Sequence, residues 1–521
     1  MRKIKLMPLV ILLSTCIIQG CTLNNNNVDI EDIPEYTNLK VISVNDYHGI
    51  VDPNGSYPGI NTFFSNIKNE YDKDPGHTIV VAAGDMFQGS GVSSLLNGKV
   101  ILDAMNASNF SAMSLGNHDF DWGSDIIKSA HDGKNLDFIY DKETNEITQH
   151  ANPEASFPYL GCNIYYGKGT SSKDDDELAS DLCQPYTIVT KDNIKVGIIG
   201  YIGESQYYSI VSTVRAPFSF HDPVPEVANY AKTLREKENC DVVIAVGHDG
   251  TSDKDVMDSN SEDILALEGS SRVDLVFNGH THTNYIKKSS DGRYNIQAGS
   301  YGNAYSVVSL VYNNKQKTLD HTMSDATNVS SSKFSNISNS IFSKIVNDAN
   351  NATEPILNRV IGYTNTQVKS SNRNAIATWT ADCIREKSGC DFGFVNYGGI
   401  RTSGFPFSGE ITLNTLYGIM PFDNLIVTFK LPGAKIYNLL QQEAITVDIT
   451  HKNSNLSLQK DNTIYTVCAD EYSFGNYIEK LNPTDVDYTP NLVRDAMIEE
   501  IEYQYSKSQS WNFNTAATFK D

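Results

Sequence analysis

The sequence predicts an α/β protein: a first domain that stacks two sheets between helices in four αββα layers, then a second domain beyond a linker. Two observations carry that expectation. Short apolar runs recur with helix-length stretches between them: LKVISV (39–44), TIVVAA (78–83), SAMSL (111–115), IKVGIIGY (194–201), DVVIAV (241–246) and RVDLVF (272–277). Runs that are apolar throughout, rather than alternating, suit strands buried on both faces. The second observation is a composition break, ATNVSSSKFSNISNS at 326–340, after which a new apolar-rich region begins near residue 362. The 521 residues leave room for roughly two to four domains of ordinary size.

Taken in order, the chain opens with a processing signal. Arg2, Lys3 and Lys5 precede the apolar segment MPLVILLSTCII (7–18), which is too short to span a bilayer comfortably. It ends at IQGC (18–21), where a small residue directly before Cys21 matches a bacterial lipobox. The expectation is a signal over 1–20, a lipidated Cys21 that tethers the chain to the membrane, and export to the periplasm or cell surface. Cleavage by an ordinary signal peptidase is the alternative. Residues 21–37 read as a polar, Asn-rich tether. No later stretch holds about 18 consecutive apolar residues, so no transmembrane helix is expected. The first domain is assigned to 38–325. A linker with a helix ending near Pro355 takes 326–360, and the second domain takes 361–521.

Each major apolar run is followed by polar residues that can bind metal. After VISV come Asn45, Asp46 and His48; after IVVAA comes Gly84-Asp85; after AMSL comes Gly116-Asn117-His118. After VVIAV comes Gly247-His248-Asp249, and after DLVF come Asn278, Gly279, His280 and His282. The carboxyl ends of strands in an open α/β sheet line one crevice, so these groups can converge. Asp46 and His48 are two apart, as are His280 and His282. In extended chain that spacing turns both side chains to one face. Each feature alone is an ordinary turn dipeptide or a stray histidine. Five separate strand ends carrying Asp, Asn or His are not.

The donors are oxygen and nitrogen without sulfur, which suits zinc, manganese or iron. The candidates Asp46, His48, Asp85, Asn117, His248, His280 and His282 are too many for one tetrahedral ion. They suit two divalent ions, zinc or manganese before others, sharing a carboxylate roughly 3.5–4 Å apart. Six cysteines remain after Cys16 and Cys21, and none sits in a C-x-x-C pair. Cys162–Cys183 and Cys383–Cys390 are the local pairs open to disulfide bonding in an exported chain. The net charge of −22 argues against a nucleic-acid polymer as partner. It leaves small phosphorylated ligands open, because a local metal or arginine overrides the global sign.

Taken together, NDYHG, GD, GNHDFD, GHDG and GHTH, in this order, resemble the calcineurin-like metallophosphoesterases. The chain is similar within them to the two-domain 5′-nucleotidase and UDP-sugar hydrolase group. The resemblance implies a four-layer first domain and a smaller α+β substrate-specificity domain. It implies one ion on Asp46, His48, Asp85 and His282, and another on Asp85, Asn117, His248 and His280, with Asp85 bridging. His282 stands where relatives often have Gln. His118 would face the substrate as catalytic residue, and Asp121 would orient it and favour its protonated form. Asp119 reads as local structure or support behind the ligands. NYGGIR (396–401) and MPF (420–422) match the group's nucleotide-binding segments, which implies substrate contacts by Asn396, Arg401 and Phe422. Two departures stand out. Arg373 in SSNRNAIATWTAD is out of the family's register, and CADEYSFGNYIEK (468–480) lacks the aromatic-Gly-Gly-Asp-Gly motif. Tyr472 and Phe474 are both open as a base-facing ring.

The implied activity is hydrolysis of 5′-nucleotides such as AMP, with a metal-activated water attacking phosphorus. UDP-sugars, other pyrophosphate esters and 2′,3′-cyclic nucleotides are the alternative substrates. A non-catalytic surface lipoprotein that binds nucleotide or a partner is the alternative of another class, and its signature would be a broken ligand set.

Overall fold

The computed structural model describes residues 34–514 and 517, apart from 56, 133–136, 142–145, 151–154, 171–172, 174–175, 251–259, 447–448 and 454–456. The signal over 1–20, Cys21 and most of the 21–37 tether lie outside the described residues.

The first domain holds two large sheets. One runs in the order Thr318–Leu319, Ala304–Asn313, Tyr36–Val44, Thr78–Ala83, Ala112–Ser114, Tyr159–Leu160, with Asp325–Ser330 also paired to Ala304–Asn313. The other runs Asn284–Lys288, Tyr294–Ala298, Leu275–Phe277, Val242–His248, Ile194–Ile202, Tyr186–Lys191. The strands at the centre of each sheet are parallel, so their carboxyl ends share one edge.

The continuous apolar runs explain the layering. Side chains alternate across a strand, so a run apolar at every position buries both faces. Leu39, Val41, Ile79 and Val81 of the first sheet meet Val196, Ile198, Ile244 and Leu275 of the second in a shared interior. The intervening residues Ile42, Val44, Val80 and Ala82 face the other way, against Phe63, Phe64, Ile101 and Met105 of the helices Gly59–Asp72 and Lys99–Ala107. On the far side Ile199, Val243 and Ala245 pack on Val227, Ala231 and Leu234 of the helix Pro223–Glu236. Each such aliphatic side chain contributes about 1.5–3 kcal/mol on burial. The result is the expected αββα order.

The linker expectation needs correction. Residues 326–330 form part of a strand of the first sheet, in register opposite Ala304 to Val308. The helix that follows, Ser340–Leu357, is capped by the Asn339 side chain, which accepts from Ile341 N at 2.9 Å. It runs past Pro355 because buried Leu357 anchors its last turn to the first-domain core.

The second domain is a mixed sheet in the order Ile449–Asn453, Phe392–Asn396, Ile464–Asp470, Leu425–Pro432, Thr484–Leu492. Helices Arg373–Ser388 and Val493–Ser506 cover one face through Ile376, Ile384, Met497 and Ile501. Helix Gly433–Thr446 covers the other through Ile436 and Leu439.

All six described cysteines are buried free thiols, so neither local pair forms. Gly389, left-handed at φ +66°, ends the helix that bears Cys383 and turns Cys390 toward Cys468 instead. No helix among the described residues is long and apolar enough to cross a membrane.

Candidate metal site and cleft

The strand ends do not leave in extended conformation. Asp46 (φ +48°), His48 (+50°), Asp85 (+55°), His280 (+78°) and His282 (+57°) are all left-handed. Such a conformation is uncommon outside glycine and costs about 1 kcal/mol or more per residue. Strain of this kind gathers where a site over-determines the backbone. It also corrects the spacing argument. His280 and His282 do not act as one extended pair; they separate into different groups. Asp46, His48 and His282 bring ligand atoms within 4.8 Å of one another, and Asp85, His248 and His280 do the same. Asn117 joins the second group, its Oδ1 lying 3.0 Å from His280 Nδ1.

Hydrogen bonds set the tautomers. His248 Nδ1 donates to the Ala83 carbonyl at 2.8 Å, and His48 Nδ1 donates to the Gln88 carbonyl at 3.2 Å. A carbonyl can only accept, so in neutral rings each Nε2 is left with a lone pair. His248 Nε2 is buried without a hydrogen-bond partner and points at Asp85 Oδ2, 3.1 Å away. His48 Nε2 faces His282 Nε2 at 2.9 Å, and His282 Nε2 lies 3.5 Å from Asp46 Oδ1. The lone pairs of neutral His48 Nε2 and His248 Nε2 thus point at His282 and Asp85, and a proton or a cation can sit between the groups. The donor set therefore fits two divalent ions.

Burial favours the neutral form of three imidazoles, the form able to bind metal. His48 lies well below its ordinary value, His280 falls to about 3 and His282 to about 4, each chiefly through loss of solvent. Burial also lowers His248, but the Asp85 charge outweighs it and lifts the ring to about 10. Asp46 is raised to about 7 by burial. Burial opposes ionisation of Asp85 too, but His248 and His118 together hold it well below the carboxylate range.

The surrounding backbone is built to this geometry. A Cβ on Gly116 would sit 2.3 Å from Asp85 Oδ1, and one on Gly84 would sit 2.6 Å from His248 Nδ1. Asp119 supports the candidate ligands from behind. Its carboxylate accepts from Asp85 N (3.0 Å), Met86 N (3.2 Å) and Gly116 N (2.8 Å). Asp119→Ala leaves those donors unmet, and about 1–3 kcal/mol of stability is expected to go with each buried donor that water does not reach. Metal affinity is expected to drop about 10–100-fold, read by titration with a chelating competitor. Unchanged affinity would make Asp119 a fold residue alone.

Beside the ligands opens a cleft of about 530 Å³ between the domains. The first domain lines it with Asp85, Asn117, His118, Asp121, His280 and His282; the second with Arg373, Asn396, Arg401, Phe422, Asn424, Tyr472 and Tyr477. His118 Nδ1 lies 2.9 Å from Asp121 Oδ2, and Arg401 Nη2 lies 3.1 Å from His118 Nε2. Arginine only donates, so Nε2 accepts here and Nδ1 carries the proton given to Asp121. Burial lowers the His118 pKa, yet Asp121 and Asp85 together raise it above the ordinary value. Phe422 stacks on His118 with ring centres 5.3 Å apart and planes at 28°, and the Arg401 guanidinium lies 4.8 Å over its ring. Asn396 spends its side-chain oxygen on Gly398 N at 2.9 Å, so its amide NH₂ is what it can offer a ligand.

Sequence reasoning missed three cleft residues or left them unassigned. Arg373 reaches in from the start of its helix, donating to the Ile400 and Gly398 carbonyls over the Tyr397 ring. Tyr472 and Tyr477 are five apart, a spacing that an α-helical reading separates. A π turn over Phe474–Ile478 is wide enough to bring them to one cleft wall. Phe474 is buried against Phe429 and Tyr488, which leaves Tyr472 as the cleft ring of the two considered. The domains also meet where Thr213 donates to the Glu471 carboxylate and Ser212 pairs with the Tyr488 hydroxyl at 3.2 Å.

Comparison with known proteins agrees with this architecture. Residues 39–284 match the calcineurin-like phosphoesterase family, and residues 351–463 match the 5′-nucleotidase C-terminal domain. Endonuclease YhcR of Bacillus subtilis is 24% identical over 425 residues, 78% of this chain and 33% of that protein. A 5′-nucleotidase of Vibrio parahaemolyticus is 23% identical over 449 residues, 77% of this chain and 74% of that protein. The chain spans a third or less of the length of the first curated relatives it matches. The crystal structure of a 5′-nucleotidase precursor from Thermus thermophilus superposes with a TM-score of 0.68 at 15% identity, covering 91% of this chain and 97% of that one. That likeness speaks for the fold.

Proposed function

Because the chain belongs to the calcineurin-like phosphoesterases and carries a 5′-nucleotidase C-terminal domain, we propose that it is a metal-dependent phosphohydrolase acting on 5′-nucleotides such as AMP. One observation supports the reading: two candidate metal-binding groups, with Asp85, His280 and His282 among the lining residues, adjoin a histidine–aspartate pair in one cleft between the domains.

Asp46, His48, Asp85 and His282 would hold one ion, and Asp85, Asn117, His248 and His280 the other. Such a pair, when bound, polarises phosphoryl oxygens and lowers the pKa of water. The chain's own residues supply the rest. His118, oriented through Nδ1 by Asp121, carries a proton at Nε2 when charged and delivers it to the departing ester oxygen. Arg401, 3.1 Å from that nitrogen, offers a planar fork to phosphoryl oxygens. Phe422, Tyr472 and Tyr477 line the cleft where a base would lie. The second domain would thus set specificity while the first carries the chemistry, with the domains joined after the helix Ser340–Leu357. We also propose export, with a lipid anchor at Cys21 resting on the IQGC motif.

Arg373 favours a second reading. A further guanidinium in the cleft suits a second phosphate, as in UDP-sugars or other pyrophosphate esters. A binding protein without turnover fits poorly, since neither ligand group is broken.

The test is phosphate and nucleotide release by the soluble chain 22–521 from AMP, UDP-glucose and 2′,3′-cyclic AMP, with chelator and with added manganese or zinc. Metal-dependent phosphate from AMP is expected. Cleavage of the other two alone would keep the first domain's chemistry and change the substrate. Full metal loading with no cleavage of any would sink the hydrolase reading for these esters.

A further inference from the structure

The segment that carries Phe422, residues 420–424, lies in neither helix nor strand. Three of its carbonyls are met by the first turn of the helix Val493–Ser506. Arg494 Nη1 donates to the Met420 and Phe422 carbonyls, each at 3.2 Å, and Nη2 pairs with the Asp423 carboxylate. Val493 N donates to the Asn424 carbonyl at 2.9 Å. The Arg494 guanidinium lies 3.9 Å over the Tyr417 ring, on the helix that leads into the same segment. Arg494 is only 3% exposed.

A buried guanidinium is costly unless its donors are met. Here the acceptors named belong to one five-residue loop, and the loop is what puts an aromatic ring on His118. We infer that Arg494 is a positioning residue for the hydrolytic site: it does not line the cleft, and it acts by holding Phe422 against His118 and Arg401. The inference rests on the proposed roles of His118 and Phe422. A planar fork suits this task because it spans two carbonyls and a carboxylate at once, where an ammonium is a single point of charge.

Two variants and their combination test it in the metal-loaded chain with AMP as probe. Arg494→Lys keeps the charge and is expected to lower kcat/KM about tenfold, a coupling of ordinary size for residues in contact. That loss is expected to vanish in a Phe422→Ala background, because the ring through which Arg494 acts is gone. An equal loss in both backgrounds would make Arg494 a general support of the domain and overturn the inference. A parent chain that cleaves no AMP refutes the nucleotidase reading instead. Amide exchange then decides the inference. Faster exchange in Arg494→Lys confined to 420–424 upholds it; unchanged protection, or faster exchange across helix Arg373–Ser388 as well, overturns it.

Discussion

Asp85→Asn is expected to lower turnover by at least about a thousandfold, the several kcal/mol of charge stabilisation that a metal pair supplies. Bound metal is expected to fall from two ions to one or fewer per chain. The carboxylate is buried and shared: Oδ2 faces His248 Nε2 at 3.1 Å, and Oδ1 accepts from His118 N at 2.8 Å. Asparagine keeps the shape and that backbone bond on one oxygen. It loses the charge and the second oxygen, so it cannot bridge two cations. Near-native volume keeps the fold intact, so the effect falls on the site. The measurement is elemental analysis of the dialysed variant beside its turnover on AMP. Two retained ions with more than a tenth of the parent rate would show that Asp85 is not the bridge.

His118→Ala is expected to lower turnover by at least about a hundredfold, the usual scale for a positioned acid–base group. Metal content should not change. The ring belongs to neither ligand group, and its nitrogens are committed to Asp121 and Arg401. The two variants therefore separate the roles: one loses ions and rate together, the other loses rate alone. Loss of metal in His118→Ala would make His118 a ligand and reverse its assignment.

Much of the first domain was legible in the sequence because its strands are buried on both faces. TIVVAA is apolar after its first residue, Thr78, and is buried at every position. The order of metal-competent residues after those strands was legible for the same reason: parallel strands share an exit edge. What could not be read was the backbone at that edge. The two-residue spacing of His280 and His282 suggested one shared face, but left-handed turns split them between two groups. No local preference predicts five non-glycine residues in that region, since tertiary contacts impose it. The second domain was less legible because its cleft residues follow no regular period. Tyr472 and Tyr477 reach one cleft around a π turn, and Arg373 arrives from a helix start. The cysteines illustrate a related limit. Cys383 and Cys390 are near in sequence, yet one left-handed glycine directs Cys390 to a partner some eighty positions on.

The left-handed candidate ligands have a consequence for how much of the protein a cell holds. Each works against the fold by about 1–2 kcal/mol. Ions that bind the native chain alone offset that cost, because an unfolded chain offers no preformed site. Ion supply where the chain matures is then expected to govern yield as well as rate. A chain starved of ions opens more often and meets proteases more often. Scarcity of the ion would appear as a smaller population of mature molecules, and assays normalised per molecule would underestimate it.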